Sequence, residues 1–367
     1  MKDTDRQTRS HLMDLFSERG MRPQTRLGQN FLIDLNLVEF IASEGRLDEH
    51  DVVLEIGTGT GGMTTFLAEQ AGSVVSVELD PRMYALAKES TAACPNVHLL
   101  NCDALKNKNH FNPEVLALVE QQLALIPESR LKVVANLPYS IATPVISNMV
   151  ASDLPWVRMI VTIQLELAQR MAATPAKSTY GALSVWLQAQ CRVKILKRLG
   201  MQVFWPRPRV NSAIMRLSPN RQHKDKIASR PFLQDFLRRL FHVRRKLLRG
   251  VIVSMYRRQL EKSQVDAILE AAGLTGELRA EELEVPVLVD LANRLFAEIE
   301  NVPYVEFGAA AESETATTSE DALTVDDEEI VGSDADSEDE ADFEDAADFD
   351  EDRVDDSEAG AGNLPEL

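Results

Sequence analysis

The sequence predicts an α/β fold in which helices cover both faces of a mostly parallel sheet, followed by a small helical domain and a disordered acidic tail. Short apolar runs alternate with helical patterns between residues 51 and 163, which is typical of a buried parallel sheet. Residues 231–305 carry helical patterns alone. The chain beyond them is rich in Asp, Glu, Ala, Ser and Thr, and cannot bury enough apolar surface to offset chain entropy.

The elements of the sheet follow one another along the chain. The first 50 residues begin with a polar helical pattern, and a second helix is expected through Leu37 and Ile41. Each predicted strand is short, rich in Val, Leu or Ile, and bounded by turn residues. The strands are Asp51–Ile56, Ser73–Leu79, Val97–Leu100, Leu131–Ala135 and Val157–Ile163, and the helices between them are Met63–Glu69, Arg82–Ser90 and Pro113–Leu125.

The last part of the folded region has a different pattern. Strands Arg192–Leu196 and Ser212–Leu217 are joined by a proline-rich stretch, which suits an antiparallel pair at a sheet edge. Helices are predicted over Phe232–Met255, Ser263–Ala272 and Val287–Ile299. We therefore divide the chain into an N-terminal arm (1–25), a sheet domain (26–219), a helical domain (220–305) and the acidic tail (306–367).

The formal net charge of −19 combines two regions of opposite sign. Residues 308–367 contain 24 acids and one base, whereas residues 151–258 contain 22 bases and four acids. The acidic average therefore describes the tail. A basic block of this size inside a folded region indicates a polyanionic partner.

Several classes of protein are excluded by composition. The three cysteines are not paired by spacing, and no Cys/His cluster has the spacing of a zinc site, so we expect neither disulfides nor a metal. The N-terminus lacks the apolar run of a signal peptide, and no apolar stretch reaches the ~18 residues of a membrane span. We therefore expect a cytoplasmic protein with no membrane partner.

Glycines follow the first predicted strand, within Glu55–Gly61. Glycine there permits a tight turn and lets a ligand approach backbone N–H groups. Glu78 ends the second strand, 21 residues beyond Gly57, where an acid can accept both ribose hydroxyls of a nucleoside. Gly57, Gly59 and Gly62 also match the dinucleotide fingerprint, so NAD stays an alternative. A plain turn at Gly57 and a solvated strand end at Glu78 are the simpler alternatives.

Asp103 follows the third predicted strand. An acid at the carboxyl end of a parallel strand lies in the ligand crevice, where it can accept a hydrogen bond from an adenine amino group. The simpler alternative is that Asp103 is a helix N-cap.

The stretch Asn136-Leu137-Pro138-Tyr139, directly after the fourth strand, is the most specific local signal. The carboxamide oxygen of Asn136 and a nearby backbone carbonyl can both accept hydrogen bonds from one amino group. Pro138 stiffens the turn, and Tyr139 offers a ring on which a planar base can stack. The pocket suits a flipped-out adenine, because two acceptors on its amino hydrogens favour a more nucleophilic nitrogen during methyl transfer. A purely structural turn is the alternative.

Together, these segments resemble the ribosomal RNA adenine N6-dimethyltransferases, and among them the KsgA type, which modifies small-subunit rRNA. The resemblance runs from about Arg26 to Ala297. The chain departs from many relatives at Thr58, where they have Pro, and at Leu165, where they have Lys. Further segments that carry the resemblance are Gly28–Leu32, Tyr180–Val185, Phe204–Ala213 and Phe241–Arg249.

The resemblance implies a Rossmann-like class I S-adenosylmethionine methyltransferase sheet of seven strands. It implies N6,N6-dimethylation of two adjacent adenosines in the 3′-terminal hairpin loop of small-subunit (16S) rRNA, linked to small-subunit biogenesis. The cofactor would be S-adenosylmethionine, and the partners would be the rRNA and the immature small subunit. We expect a monomer.

The resemblance also assigns roles to single residues. Glu78 would hold the cofactor ribose, Asp103 the adenine amino group, and Tyr139 would stack on the target base. The implied cofactor-binding residues are Asn30, Leu32, Gly57, Gly59, Glu78, Asp103 and Asn136, and the implied catalytic residues are Asn136, Leu137, Pro138 and Tyr139.

Basic residues concentrate in the last strand loop and the helical domain, where they would neutralise phosphates without reading sequence. Flanking aromatics suit base stacking, and the resemblance implies that Phe204 closes the second face of the target base. A solvated helix face with ion pairs is the alternative. The acidic tail would either compete with RNA for the basic region or serve to keep the protein soluble. The predicted substrate-binding residues are Tyr139, Phe204, Arg207, Arg209, Arg244, Arg245, Lys246 and Arg249.

Four other functions compete with this interpretation. A large-subunit rRNA dimethyltransferase of the macrolide-resistance kind shares the Gln29–Leu32 segment, but Tyr180–Val185 and Phe204–Ala213 favour the small-subunit type. Leu137 and the basic block argue against a glutamine-amide methyltransferase. An NAD-dependent dehydrogenase would need a catalytic Tyr/Lys or His/Arg pair, and none is apparent. A ribosome-assembly checkpoint is a non-enzymatic role that can coexist with methylation.

Overall fold

A seven-stranded sheet is the centre of the structure, a computed structural model that describes residues 9–299. Two further pairs of very short strands accompany it. The strands are β1 (Phe31–Leu32), β2 (Asp51–Ile56), β3 (Ser73–Val77), β4 (Val97–Leu100), β5 (Leu105–Asn107), β6 (His110–Phe111), β7 (Arg130–Asn136), β8 (Trp156–Gln164), β9 (Cys191–Leu199), β10 (Phe204–Trp205) and β11 (Ser212–Pro219).

Helices occupy most of the remaining described chain. The helices that accompany the sheet are α1 (Arg9–Glu18), α2 (Leu35–Gly45), α3 (Gly62–Ala68), α4 (Pro81–Ser90), α5 (Pro113–Leu125), α6 (Ala142–Ala151), α7 (Leu165–Met171) and α8 (Ala182–Gln188). The helices after the sheet are α9 (Arg221–Lys224), α10 (Arg230–His242), α11 (Leu248–Tyr256), α12 (Lys262–Ala271) and α13 (Val285–Ile299).

The sheet has the order β4-β3-β2-β7-β8-β11-β9, and the first five of these strands are parallel. Strand β11 runs antiparallel to both of its neighbours. The predicted α/β fold and the late antiparallel pair at the sheet edge are therefore confirmed. All six residues of β2 are buried, because this central strand is covered on both faces.

The sequence sets where several helices begin. Asp34, Asp80 and Asn112 each accept a hydrogen bond from a backbone N–H in the first turn of α2, α4 and α5, respectively. In α4 and α5 a proline follows the cap. Proline has no N–H, and a backbone N–H at this position would have no hydrogen-bond partner within the helix. These caps place the helix starts directly after the strand ends.

Two hydrophobic clusters lie on the two faces of the sheet. One, the α2-side cluster, includes Val53 and Val134 and packs against α2 and α3. The other includes Val52 and Val133 and continues into α10 to α13. The division at residues 219 and 220 stays a proposal, and the predicted disorder of residues 306–367 lies outside the described residues.

One predicted helix is wrong. The expected helix Phe232–Met255 is two helices, α10 and α11, because the chain leaves helical geometry over residues 243–247. Leu247 pairs with Arg279 in an isolated β-bridge, and the N–H of Leu248 donates to the carbonyl of Leu278. Tertiary partners thus replace the intrahelical bonds at the break.

Candidate functional site

The predicted motifs meet in one cleft at the carboxyl ends of the parallel strands. Asn136 is the last residue of β7, and Glu78 lies just beyond the end of β3. Parallel strands bring such ends to the same edge of a sheet. The predicted residues that line the cleft are Asn30, Gly57, Gly59, Glu78, Asp103, Asn136, Leu137, Pro138 and Tyr139. Leu32 lines an adjoining cavity that shares Gly57, Gly59 and Asn136 with the cleft.

The glycine turn forms the floor of the cleft. Gly57 and Gly59 have φ values of 86° and 58°, which side chains of L residues rarely adopt. A Cβ atom on Gly57 would lie 3.1 Å from Pro138, and one on Gly59 would lie 3.1 Å from the ring of Phe31. Any side chain here would therefore push apart the two walls of the cleft.

Glu78 is buried, with 8% of its surface exposed, so the alternative of a solvated strand end is wrong. Its Oε2 accepts a hydrogen bond from the N–H of Gly59 at 2.8 Å, and its Oε1 accepts one from the N–H of Asp80 at 2.9 Å. Burial raises the pKa of Glu78 above its usual value. A carboxylate offers about four lone-pair directions, so both oxygens can still accept from a ligand.

Asp103 is exposed and also lines the cleft, just beyond the end of β4. Its Oδ1 accepts a hydrogen bond from the N–H of Leu105 at 2.9 Å, in a turn that leads into β5. The alternative of a helix N-cap is therefore wrong, because a strand follows.

The Asn136 side chain is oriented by the N-terminal segment. Its Nδ2 donates a hydrogen bond to the carbonyl of Asn30 at 2.9 Å, which leaves Oδ1 as an acceptor. The next peptide is also held, since the N–H of Leu137 donates to the carbonyl of Thr162 at 3.2 Å. No residue within 9–299 donates a hydrogen bond to the Leu137 carbonyl. Oδ1 of Asn136 and the backbone carbonyl of Leu137, which are adjacent in the chain, are thus both available to accept hydrogen bonds.

Tyr139 is half-buried and lines the cleft beside these acceptors. Its hydroxyl is hydrogen-bonded to the hydroxyl of Ser212, the first residue of β11, at 2.6 Å. Burial raises the pKa of Tyr139, so its hydroxyl stays protonated and the ring uncharged at neutral pH. Strand β11 therefore holds one end of the ring in place.

The segment before β1 is fastened to α4 by side chains that the sequence analysis missed. Asp80 is buried, and its Oδ2 accepts hydrogen bonds from Gln24 at 2.7 Å and Gln29 at 3.0 Å. Gln29 also accepts from the N–H of Gln24 at 2.7 Å. The position of Gln29 inside the family segment Gly28–Leu32 was the available signal.

Aromatic rings join the N-terminal segment to the last strand loop. Phe31 pairs with Trp205, and Leu32 with Phe204, between β1 and β10. Phe16 of α1 contacts both rings edge-on, with centroid distances of 5.6 Å to Phe31 and 5.1 Å to Trp205. The two short strands therefore link the segment that lines the cleft to the segment predicted to meet the RNA base.

A buried hydrogen-bond chain lies beneath the glycine turn. Oε2 of Glu55 accepts from Thr64 at 2.7 Å and from Ser76 at 2.6 Å, and the Ser76 hydroxyl is hydrogen-bonded to Thr58 at 2.6 Å. Thr58, which departs from the family pattern, thus joins this chain through its hydroxyl. Burial raises the pKa of Glu55 to about 7.

The predicted RNA-binding residues fall into two groups. Arg207, Arg209, Arg245 and Lys246 are exposed, and no residue of the described chain forms an ion pair with them. Two others have protein partners: Arg244 donates to the carbonyls of Ser178 and Tyr180, and Arg249 forms an ion pair with Asp266 at 2.5 Å. The exposed group could be predicted from charge alone, whereas the partners of Arg244 and Arg249 could not.

Phe204 does not line the cleft. Only 3% of its surface is exposed, and it packs in the α2-side cluster with residues such as Leu199 and Ile214. Its contact with a target base stays a prediction.

Residues 9–299 contain neither a metal-binding cluster nor a membrane-spanning helix. No group of His, Cys, Asp and Glu is arranged to hold a metal ion. No helix in this range combines the length and apolarity needed to cross a membrane.

Comparison with known proteins gives consistent matches. Residues 20–290 match the family model described as ribosomal RNA adenine dimethylase. The chain is 35% identical over 269 residues to the ribosomal RNA small subunit methyltransferase A of Alkaliphilus oremlandii, covering 73% of this chain and 90% of that one. It is 32% identical over 288 residues to the protein of that name in Moorella thermoacetica, covering 78% and 98%.

Solved structures share the fold. A dimethyladenosine transferase from Plasmodium falciparum superposes with a TM-score of 0.61 and 22% identity, covering 72% of this chain and 97% of that one. The 23S rRNA methyltransferase ErmE superposes with a TM-score of 0.52 and 24% identity, covering 72% and 99%. At these identities the likeness is evidence of the fold.

Proposed function

The chain belongs to the ribosomal RNA adenine dimethylase family, and we propose that it dimethylates N6 of two adjacent adenosines in the 3′-terminal hairpin loop of small-subunit rRNA. The observation that carries the proposal is the arrangement at the end of β7. The Asn30 carbonyl holds the Asn136 amide so that Oδ1 is left as an acceptor, next to the Leu137 carbonyl and the Tyr139 ring.

S-adenosylmethionine fits the residues of the cleft. Gly57 and Gly59 leave a floor that a Cβ would fill, which allows close approach to the backbone. Glu78 would accept hydrogen bonds from the ribose hydroxyls, and Asp103 would accept one from the adenine amino group. Asn30 and Leu32 would border the cofactor from the N-terminal segment. When bound, this cofactor supplies the methyl group as part of a sulfonium.

The protein would act mainly by positioning the target amine. Oδ1 of Asn136 and the carbonyl of Leu137 would each accept one amino hydrogen of the flipped adenine, so that the N6 lone pair is less delocalised into the ring. Tyr139 would stack on the base, held by its hydrogen bond to Ser212. Pro138 restricts the turn that carries these groups. No strong general base is needed, because N6 loses its proton after the methyl group has been attached, when the positive charge on N6 makes that proton acidic.

The substrate class follows from charge and relatives together. The exposed cations Arg207, Arg209, Arg245 and Lys246 would bind phosphates, and the relatives named above are small-subunit methyltransferases. We propose that the enzyme acts as a monomer in the cytoplasm, on the immature small subunit. The dehydrogenase and glutamine-methylating alternatives have no support in the family match.

The test supplies the purified protein and radiolabelled S-adenosylmethionine with unmodified small subunits, large subunits and tRNA in parallel. N6,N6-dimethyladenosine at adjacent positions of the small-subunit terminal hairpin is expected. Label in large-subunit RNA would instead support the macrolide-resistance type of enzyme. Tight binding to small subunits without transfer to any RNA would support an assembly factor.

A further inference from the structure

A group of basic residues lies on the α2 face of the sheet, away from the cleft. We call this group the basic row. It spans β8, β11 and β9 at one edge of the sheet and includes the residue that follows α2. Its members are Arg46, Arg158, Lys194, Lys197 and Arg216.

The strand register places the members of the basic row on one face. Residues two apart in a strand share a face, and Arg158, Arg216 and Lys197 are each two positions from a residue buried in the α2-side cluster. Lys194 is the direct cross-strand partner of Arg216. Arg46 is the C-cap of α2 itself. The buried residue two positions away is Ile160 for Arg158, Ile214 for Arg216 and Leu199 for Lys197.

Little negative charge balances the basic row. Within residues 9–299, Glu44 is the one acid that forms an ion pair with a member, at 3.4 Å from Arg216. Arg158 donates to the backbone carbonyl of Glu44 at 3.1 Å. Burial, together with the neighbouring charges of Arg46 and Arg216, lowers the pKa of Arg158. The folded chain therefore holds like charges together, which is unfavourable until an anion neutralises them.

The basic row is separate from the reacting groups. Along β8, Arg158 precedes Thr162 by four residues, and Thr162 is paired with Asn136 at the catalytic edge. At ~3.3 Å per residue this is roughly 13 Å along the strand. Across the sheet, the row spans three strands, or roughly 10 Å. A surface of this extent suits an extended polyanion better than a single small anion.

We propose that the basic row is a second binding surface for the phosphate backbone of the substrate RNA, which contacts RNA flanking the methylated loop. The inference rests on the proposed function, since it takes rRNA as the substrate. Lys194, Lys197 and Arg46 are exposed, whereas Arg158 and Arg216 are half-buried. Arginine and lysine bind phosphates without reading sequence, so the row would add affinity and orientation to the RNA contacts made near the cleft.

The test compares two pairs of charge reversals in the full-length protein. Lys194→Glu with Lys197→Glu removes the exposed strand cations of the basic row. Lys88→Glu with Lys106→Glu is the matched control, because both lysines are exposed. Lys88 is in α4, which packs against β4 at the opposite sheet edge, and Lys106 is in β5, the strand that follows β4 in the chain. Binding of unmodified small-subunit rRNA and of the isolated terminal hairpin is measured between 50 and 200 mM salt, with methyl transfer to the hairpin at saturation.

The row variant is expected to bind small-subunit rRNA roughly tenfold more weakly at 50 mM salt than the control variant. The slope of log K against log salt should become shallower by about 2, at ~0.9 per phosphate contact. Transfer to the saturating hairpin should equal that of the control. Lys194→Gln with Lys197→Gln should lose affinity in the same direction by a smaller factor.

Two results would overturn the proposal. Equal rRNA binding by the row and control variants would mean that the row does not contact RNA. Tighter binding would mean that the row holds another acidic partner, such as the chain's own tail. Failure of the proposed function would give a different result from failure of the basic-row proposal. The wild-type protein would then leave the terminal hairpin unmethylated, however tightly it binds rRNA.

Discussion

Replacement of Asn136 by alanine would remove two interactions of different kinds. The first is the donor that holds the Asn30 carbonyl at 2.9 Å, and its loss should lower the free energy of unfolding by about 1 kcal/mol. The second is the Oδ1 acceptor, which would act on the target amine as methyl transfer proceeds. Loss of one aligned hydrogen-bonding group of this kind typically lowers kcat by about 10²–10³, or roughly 2.7–4 kcal/mol.

The assay is single-turnover transfer of radiolabelled methyl groups to unmodified small subunits, with subunit binding measured separately. Asn136→Ala should slow transfer by about 10²–10³ and leave subunit affinity nearly unchanged, because phosphate contacts dominate affinity. Asn96→Ala is the matched control. The Asn96 amide also donates to backbone carbonyls, those of Ala68 and Ala71 at 2.9 Å each, but it lies outside the cleft. The Asn96→Ala replacement should lower the stability of the protein and leave the rate of methyl transfer unchanged.

Transfer by Asn136→Ala within tenfold of the wild-type rate would refute the role given to the carboxamide. Equal losses in Asn136→Ala and Asn96→Ala would show that stability, rather than chemistry, explains the effect. A cell that carries Asn136→Ala and still matures its small subunits at the normal rate would indicate that the assembly role survives without methylation.

Three other predictions follow from the charged groups. Glu78→Gln should weaken S-adenosylmethionine binding by about 10- to 100-fold, as expected for hydrogen bonds to a charged group, and isothermal titration showing unchanged affinity would contradict it. Glu55, with its pKa raised to about 7, stays protonated longer in the folded state, so its contribution to stability is lost as pH rises from about 4.5 through 7. The unfolding free energy of Glu55→Gln minus that of the wild type should therefore rise by about 2 kcal/mol from pH 5 to pH 8. A difference that stays the same at every pH, measured by chemical denaturation, would count against this. Truncation after Phe307 should tighten nonspecific RNA binding most at low salt, and unchanged affinity there would show that the tail does not compete.

Much of the fold could be predicted because it depends on local patterns. The short, Val-rich strands β2 and β3 indicate a sheet covered on both faces, and all their residues are buried. The N-caps Asp80 and Asn112 mark helix starts. The break after α10 could not be predicted, because its cause lies 30 or more residues away, in the contacts of Leu247 with Arg279 and of Leu248 with Leu278. Helical periodicity carries no signal of such partners.

The sequence by itself determined which residues stand at the ends of the parallel strands, and thus the motifs that meet in the cleft. That follows from chain direction, since every parallel strand ends at the same edge. Only the tertiary structure decided that the Asn136 amide faces the Asn30 carbonyl, and that Asp80 holds Gln24 and Gln29. These are side-chain hydrogen bonds between residues far apart in the chain, and their partners are chosen by packing rather than by local propensity.

The same division holds for the charges. Composition revealed a basic region, but only the structure separated the exposed Arg245 and Lys246 from Arg244 and Arg249, which have protein partners. Only the strand register brought Arg158, Arg216 and Lys194 onto one face, although they lie up to 58 positions apart in the sequence. The physical reason is that a charge interacts through space, and folding alone determines which charges become neighbours.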